Sequence, residues 1–148
     1  TNDFAAALYD VYLIKTDSIG DTIWTKTYGG TNHDYGFSVY QTSDGGYIIS
    51  GYTYSFGGGN TDIYLIKTNN SGDTLWTKTY GGTGVDVGTK VQQTANGGYI
   101  IMGKTESFGP GDIYLIKTDS NGDTLWTRTY GGCCDEEGYD LQQTTDGG

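Results

Sequence analysis

The chain has 148 residues, of which 18 are acidic and 8 are basic, so that its formal net charge is −10. The basic residues are scattered singly, and no basic stripe exists that could neutralise a phosphate backbone, which excludes nucleic acid and an anionic membrane surface as partners. The longest apolar runs have the length of a strand and fall far short of the ~20 residues that a membrane-spanning helix needs, which excludes membrane insertion.

One segment recurs three times along the chain. Asp10, Asp62 and Asp112 each begin a run Asp-Val/Ile-Tyr-Leu-Ile-Lys-Thr, which leads through a Gly-Asp-Thr turn to Trp-Thr-Lys/Arg-Thr-Tyr-Gly-Gly. A fixed period of about fifty residues indicates one supersecondary unit that is copied along the chain. Because the 26 glycines fall in phase with this period, we expect an ordered repeat protein.

Each copy of the repeat contains four runs that favour β-strands. In the complete copy at the centre of the chain they cover residues 37–42, 47–53, 63–68 and 74–80. β-branched and aromatic residues dominate the runs, and Gly, Asn and Asp fill the gaps between them. The pattern predicts a four-stranded antiparallel meander.

The third run of the repeat indicates how the sheets pack. Residues 63–66 are all apolar, whereas a sheet with one wet face would alternate polar and apolar residues. Each sheet must therefore be covered on both faces. Copies of one sheet packed face to face around an axis satisfy this requirement, so the sequence predicts an all-β fold of β-propeller blades, about three of them in this chain. A stacked β-solenoid is the alternative, although its coils are usually shorter and its ladders parallel.

The phase of the repeat divides the chain into one propeller segment with four parts. We expect a partial blade over 1–30, a blade over 31–82, a blade over 83–132 and the first strand of a further blade over 133–148. Closed propellers typically have 4 to 8 blades. We therefore expect either a longer parent chain with more repeats or copies that associate head to tail into a ring or filament.

The repeat resembles a known family. Residues 112–126, Asp-Ile-Tyr-Leu-Ile-Lys-Thr-Asp-Ser-Asn-Gly-Asp-Thr-Leu-Trp, are followed by Tyr130-Gly-Gly and later by Gly138-Tyr-Asp-Leu-Gln-Gln-Thr. This order is similar to that of the β-propeller repeat family of secreted bacterial and archaeal proteins, whose repeats are of the seven-bladed type, and the likeness extends from Asp10 to Gly148. The resemblance implies an extracellular or surface-attached, non-enzymatic module, and no catalytic residues can be carried over from it.

Acidic residues recur at one loop position and are the first candidates for binding. Asp34, Asp86 and Glu136 lie in the loop that leads from the last strand of one copy to the first strand of the next, and Glu137 follows the last of them. In a propeller this loop lies near the mouth of the central channel. We therefore predict that these carboxylates contact a partner.

Three tryptophans also recur, at positions 24, 76 and 126. Trp24, Trp76 and Trp126 occupy the outer strand of each copy, where the gap between blades is widest, so core packing is their expected role. Sugar stacking is the alternative, because aromatic faces can serve as platforms for ligands. That alternative predicts a lectin-like propeller with one glycan site per blade.

A weak calcium pattern is present in the last complete copy. Asp119, Asn121 and Asp123 place oxygen ligands at alternate positions, as calcium loops do. The distal bidentate Glu of such loops is missing, and the equivalent turn of the preceding copy has one charge fewer. We therefore expect no metal and no cofactor.

Three further residues are candidates for covalent modification. Cys133 and Cys134 are adjacent in a variable loop, and a disulfide between neighbours would be strained, which leaves a bond to another chain as the alternative to two free thiols. Asn69 begins an Asn-Asn-Ser sequon for N-glycosylation.

The sequence does not favour an enzyme. The only histidine, His33, has no histidine counterpart in the other copies, and near-identical copies cannot provide an acid and a base in different environments. We therefore predict an extracellular scaffold, adhesion or protein-interaction module, with a glycan-binding propeller as the alternative. The expected partners are further propeller blades and a protein or glycan ligand.

Overall fold

The computed structural model describes residues 8–148, and the secondary structure over this range is entirely β. The strands are β1 Val11–Thr16, β2 Thr22–Tyr28, β3 Asp34–Gln41, β4 Tyr47–Thr53, β5 Asp62–Thr68, β6 Thr74–Tyr80, β7 Asp86–Gln93, β8 Tyr99–Thr105, β9 Asp112–Thr118 and β10 Thr124–Tyr130. They form a first sheet of β1 and β2, a second sheet of β3 to β6 and a third sheet of β7 to β10, with every neighbour antiparallel and in chain order. The predicted all-β meander is confirmed. Residues 8–148 contain no helix with the length and hydropathy that a membrane crossing needs.

The first strand of the repeat begins earlier than the sequence predicts. β3 starts at Asp34 rather than at residue 37, because Gly36 pairs with Gly51 of β4 at a point where the two backbones come unusually close. A Cβ at Gly51 would collide with the carbonyl oxygen of Tyr35. The glycines that weaken the strand pattern in the sequence are therefore the residues that permit the pairing.

The three sheets stack face to face, and the core lies in the two layers between them. One layer joins the first and second sheets, and the other joins the second and third sheets. The first layer contains Val11, Tyr28, Ile49, Tyr64 and Ile66, and the second contains Ile48, Ile63, Leu65, Val91, Tyr99, Ile101, Tyr114 and Ile116.

Burial along the third strand of each sheet reflects this stacking. All seven residues of β5 are buried. In β9, which has the same sequence, buried and half-buried residues alternate. The prediction that an apolar third strand is covered on both faces is thus confirmed for the second sheet.

The last part of the chain differs from its predicted structure. A first strand is predicted within 133–148, but residues 131–148 form no strand. Ladder bonds require a neighbouring strand, and no second strand lies beside this segment within the described range. The segment nevertheless lies against the third sheet much as β7 lies against the second. The Ala95 amide donates to Gln143 Oε1 at 2.9 Å, and the equivalent Ser43 amide donates to Gln93 Oε1 at 2.8 Å.

Candidate functional site

The recurrent loop acids that were predicted to bind a partner are buried at the start of a strand. Asp34 begins β3 and Asp86 begins β7, and the exposed fraction of each is 0%. Asp86 accepts hydrogen bonds from the Gly82 amide at 2.9 Å and from the hydroxyls of Thr105 and Ser107. Asp34 accepts equivalent bonds from a glycine amide at 2.8 Å and a serine hydroxyl at 2.7 Å. Each carboxylate thus connects the Gly-Gly loop to the residues that follow the second strand of its own sheet.

The third member of this set lies in a different environment. Glu136 is half-buried, and its Oε2 has no hydrogen-bond partner among the described residues. A Cβ at Gly131 would collide both with this oxygen and with Asp112 Oδ1, which is also buried and unpartnered within residues 8–148. Glu137 is exposed and accepts a hydrogen bond from the Tyr139 hydroxyl at 2.5 Å. The two glutamates therefore make different contacts.

Two of the three tryptophans lie between sheets. The ring of Trp24 meets Tyr47 edge-on with 5.8 Å between ring centroids, and Trp76 meets Tyr99 in the same way at 5.8 Å. The expected packing role of these two residues is confirmed. Trp126 is 39% exposed, and both its expected packing role and the alternative of sugar stacking stay predictions.

These tryptophans belong to a contact that occurs twice, which we call the inter-sheet joint. In it, the Trp, Lys and Tyr on one face of an outer strand meet the Gly-Asp turn of the next sheet. In the first joint, Lys26 Nζ donates to Asp73 Oδ1 at 2.7 Å and the Tyr28 hydroxyl donates to the Gly72 carbonyl at 2.7 Å. Burial, together with the charge of Asp73, raises the pKa of Tyr28 to about 12.

The second joint repeats these contacts between the second and third sheets. Lys78 Nζ donates to Asp123 Oδ1 at 2.8 Å, and the Tyr80 hydroxyl donates to the Gly122 carbonyl at 2.6 Å. Burial raises the pKa of Tyr80 well above its usual value of 10.0. One arrangement of side chains thus connects each sheet to the next.

The residues of the weak calcium pattern are engaged in the turn and the joint. Asp119 Oδ1 accepts the amides of Asn121 at 2.8 Å and Asp123 at 2.9 Å, so the side chain closes its own turn. The Asp123 carboxylate is the partner of Lys78. Between residues 8 and 148 there is no group of three or more His, Cys, Asp or Glu side chains that could hold a metal ion.

The two cysteines are exposed free thiols whose sulfurs lie 3.2 Å apart. A hydrogen bond with Cys133 is the main cause that raises the pKa of Cys134, and the charges of Glu136 and Asp135 contribute. The higher pKa lowers the thiolate fraction of Cys134 at neutral pH. A disulfide to another chain stays a prediction.

The Asn69 sequon lies in the turn between β5 and β6, and the side chain is half-buried. Asn69 Oδ1 accepts the amides of Ser71 and Asp73, each at 2.9 Å. Its Nδ2, the atom that a glycan would be attached to, donates to Asp73 Oδ2 at 3.2 Å. The asparagine thus closes its turn as Asp119 does, and glycosylation stays a prediction.

Six aromatic rings that were not predicted to form a site lie together, and we call them the aromatic cluster. Its centre is a stacked pair, Tyr35 of β3 and Tyr52 of β4, with 4.8 Å between centroids and 23° between planes. Around this pair lie Tyr9, His33, Phe37 and Tyr54. Three of the six rings are more than half exposed, Tyr9 at 61%, Phe37 at 55% and Tyr54 at 51%.

Among residues 8–148, the aromatic cluster belongs to the second sheet and has no equivalent in the third sheet. The positions of the third sheet that correspond to His33, Tyr35, Phe37, Tyr52 and Tyr54 hold Val85, Val87, Thr89, Lys104 and Glu106. An alignment of the copies could have revealed this cluster, because it distinguishes aromatic residues that recur in every copy from those present in one copy.

Comparison with known proteins finds a distant likeness. No family model matches the chain. Over 115 residues the chain is 28% identical to the regulatory protein FlaEY of Caulobacter vibrioides. The similar stretch covers 69% of this chain but 12% of FlaEY, so the chain spans a small part of that protein's length.

Proposed function

We propose that this protein is a non-enzymatic extracellular scaffold or protein-interaction module whose sheets are blades of a β-propeller. The observation that carries the proposal is the second sheet, which is covered on both faces by sheets of the same repeat. The two inter-sheet joints use the same contacts, so each sheet is related to the next in nearly the same way. In a β-propeller, successive blades are related by the same rotation about a central axis, so this fold accounts for the repeated contact between sheets.

The roles of the recurrent polar residues support a scaffold rather than an enzyme. Asp34 and Asp86 hold loops, and Asp73 and Asp123 hold neighbouring sheets together. Catalysis by paired groups needs two titratable side chains in contrasting environments at one site. Near-identical copies favour identical environments instead. The likeness to a small part of FlaEY supports a module that occurs within longer proteins.

The blade arrangement can be tested with chains that are extended by further copies of residues 31–82. If the sheets are propeller blades, the maximum dimension from small-angle X-ray scattering should stop growing once a ring of about 4 to 8 blades closes. A maximum dimension that grows in proportion to the number of copies would contradict the propeller and favour a solenoid.

The extracellular location can be tested on intact cells of the source organism. An antibody against this chain should label unpermeabilised cells or the culture medium, and brief treatment with an external protease should remove the label from cells. A cytoplasmic protein serves as the control for cell integrity. Labelling that requires permeabilisation would contradict the proposed location.

A second candidate function is glycan binding, which the aromatic cluster favours. Tyrosine offers an apolar ring face and a polar hydroxyl, which suits a sugar with CH groups on one face and hydroxyls around it. On a glycan array we expect neutral sugars to bind, because the net charge of −10 disfavours acidic ones.

The aromatic cluster also supplies the variants for this test. Tyr52→Ala should weaken binding about 10-fold, which corresponds to ~1.4 kcal/mol and is near the upper end of what one aromatic contact contributes. Tyr40→Ala, at a tyrosine that is 39% exposed and lies outside the cluster, is the matched control. No binding by the unaltered chain, or equal losses in both variants, would dispose of this candidate.

A further inference from the structure

The outer strand of the third sheet carries half of a further inter-sheet joint. Trp126, Arg128 and Tyr130 repeat the Trp, Lys and Tyr that form the two joints described above. Trp126 is 39% exposed and Tyr130 is 53% exposed, whereas the equivalent Tyr28 of the first joint is 7% exposed. Within residues 8–148, no Gly-Asp turn meets this face.

The other half of such a joint is the turn between β1 and β2. Its backbone bond, from the Asp17 amide to the Asp21 carbonyl, measures 2.9 Å, and the corresponding bonds of the two turns that engage in joints also measure 2.9 Å. The φ of Gly20 is 92°, close to the 77° and 81° of the two engaged glycines. A Cβ at Gly20 would meet nothing within 4 Å, whereas a Cβ at either engaged glycine would collide with a tryptophan and a lysine of the neighbouring sheet. The β1–β2 turn thus already has the conformation that docks.

The apolar faces at the two ends of the stack also correspond to faces that pack inside it. Tyr12 and Ile14 of β1 are 58% and 52% exposed, while the same positions of the second sheet, Tyr64 and Ile66, are 4% and 0% exposed. On the third sheet, Leu115 is half-buried, although its counterpart in β5 is completely buried. The exposed face of the first sheet and the exposed face of the third sheet therefore correspond to two faces that pack against each other inside the stack.

A groove on the third sheet has room for this contact. It lies between β9–β10 and the segment 141–148, and its volume is about 300 Å³. Ile100, Leu115, Trp126, Tyr130 and Leu141 contribute its apolar walls. In the second sheet the corresponding face packs against apolar side chains of β7, β8 and β9 of the third sheet.

We propose that the β1–β2 hairpin of a second copy of this chain docks into this groove, so that copies associate head to tail. Arg128 of one copy pairs with Asp21 of the next, as Lys26 pairs with Asp73 and Lys78 with Asp123. The Tyr130 hydroxyl donates to the Gly20 carbonyl, as Tyr28 and Tyr80 donate to the equivalent glycines.

This association is heterologous, because one end of a copy meets the opposite end of the next. Every added copy leaves a free end until a ring closes, so a ring or an open filament results. The inference rests on the proposed scaffold role and deepens it by naming the partner and the contact.

Sedimentation equilibrium of the whole chain and of two charge variants tests the proposal. The unaltered chain should associate with increasing concentration beyond its 16.0 kDa monomer. Arg128→Glu and Asp21→Lys should each weaken association at least about 10-fold, because each replaces an attractive pair by a repulsive one. An equimolar mixture of the two variants should recover association, because Arg128 then meets Asp21 and Glu at position 128 meets Lys at position 21.

Two matched variants serve as controls, and circular dichroism checks the fold of each variant. Arg128→Lys should associate like the unaltered chain, because lysine makes this contact in both existing joints. Glu106→Lys reverses an exposed charge outside the two ends and should also leave association unchanged.

Three results would overturn the inference. They are a folded monomer at all concentrations, association that neither charge variant weakens, and a mixture that does not recover association. None of them decides the scaffold role, which the scattering and cell-surface experiments test separately.

Discussion

Lys67 shows at the scale of one residue how the second sheet tolerates a charge in its interior. It lies in β5, and 4% of its surface is exposed. Its Nζ donates to Asp44 Oδ2 at 2.8 Å and to its neighbour's carbonyl, Thr68 O, at 2.8 Å. The hydrogen bond from Lys67 is the main cause that lowers the pKa of Asp44 from 3.8 to about 2. A buried ammonium group needs such partners, because burial without them disfavours the charged form.

We predict that stability depends on pH through Asp44. Because its pKa is lower in the folded protein, the carboxylate stabilises the fold above about pH 4, and this contribution is lost as the pH falls through about 2. Its size is about 1 kcal/mol, since the Asp44 side chain is 57% exposed and solvent screens the pair. Urea unfolding at a series of pH values should show this loss, and Asp44→Asn should remove it. Glu106→Gln is the control, and a pH profile that Asp44→Asn leaves unchanged would contradict the prediction.

Asp86 gives a second prediction at this scale. It is fully buried and accepts three hydrogen bonds. Asp86→Ala should lower the free energy of unfolding by about 3 kcal/mol, because it leaves buried donors without an acceptor. Glu136→Ala, at the same position of the repeat but half-buried, should cost clearly less. Equal losses in urea unfolding would show that Asp86 does not hold its loop in this way.

At the scale of the element, one strand sequence has two different environments. The run Asp-Ile-Tyr-Leu-Ile-Lys-Thr forms both β5 and β9, but β5 is covered on both faces and β9 on one. Local propensity is the same in both strands. The difference in burial comes from the neighbouring sheets alone.

The two strands therefore provide a matched pair of substitutions. Leu65→Ala should lower the free energy of unfolding by about 3 kcal/mol, since Leu65 is 0% exposed and its removal leaves a cavity. Leu115→Ala, at the half-buried equivalent in β9, should cost about 1 kcal/mol. Chemical denaturation of both variants measures the difference. A larger loss in Leu115→Ala would contradict the stacking order of the sheets.

At the scale of the whole molecule, the inter-sheet joints connect the stack. Stability in such a repeat protein is approximately a sum of repeat stabilities and nearest-neighbour interfaces. Each joint adds an ion pair and a tyrosine hydrogen bond to the apolar layer between sheets. Substitutions in a joint should therefore change the coupling between two sheets.

Tyr80 and Tyr130 test this coupling. Tyr80→Phe removes the hydrogen bond to the Gly122 carbonyl and should destabilise the protein by about 1 kcal/mol. Tyr130→Phe, which alters the exposed equivalent of the third sheet, should have almost no effect on a monomer in dilute solution. Thermal and urea unfolding at low protein concentration compare the two variants. If both cost the same, the joint does not contribute as described.

The sequence alone determined the strand order and the coverage of the second sheet. Both depend on local patterns, namely the period of the repeat, the turn glycines and the apolar residues on both faces of the third run. The early start of β3 also has a local cause, namely the glycines that permit close pairing. The same glycines made a strand harder to predict there, because glycine is uncommon in strands.

Only the tertiary structure decided what the candidate residues contact. It buried Asp34 and Asp86, placed Trp24 and Trp76 between sheets, and gathered the aromatic cluster from different strands. These outcomes depend on which side chains from distant parts of the chain meet. A repeat specifies how each sheet forms, whereas the contacts between unlike positions of successive sheets decide which groups are buried and which remain exposed.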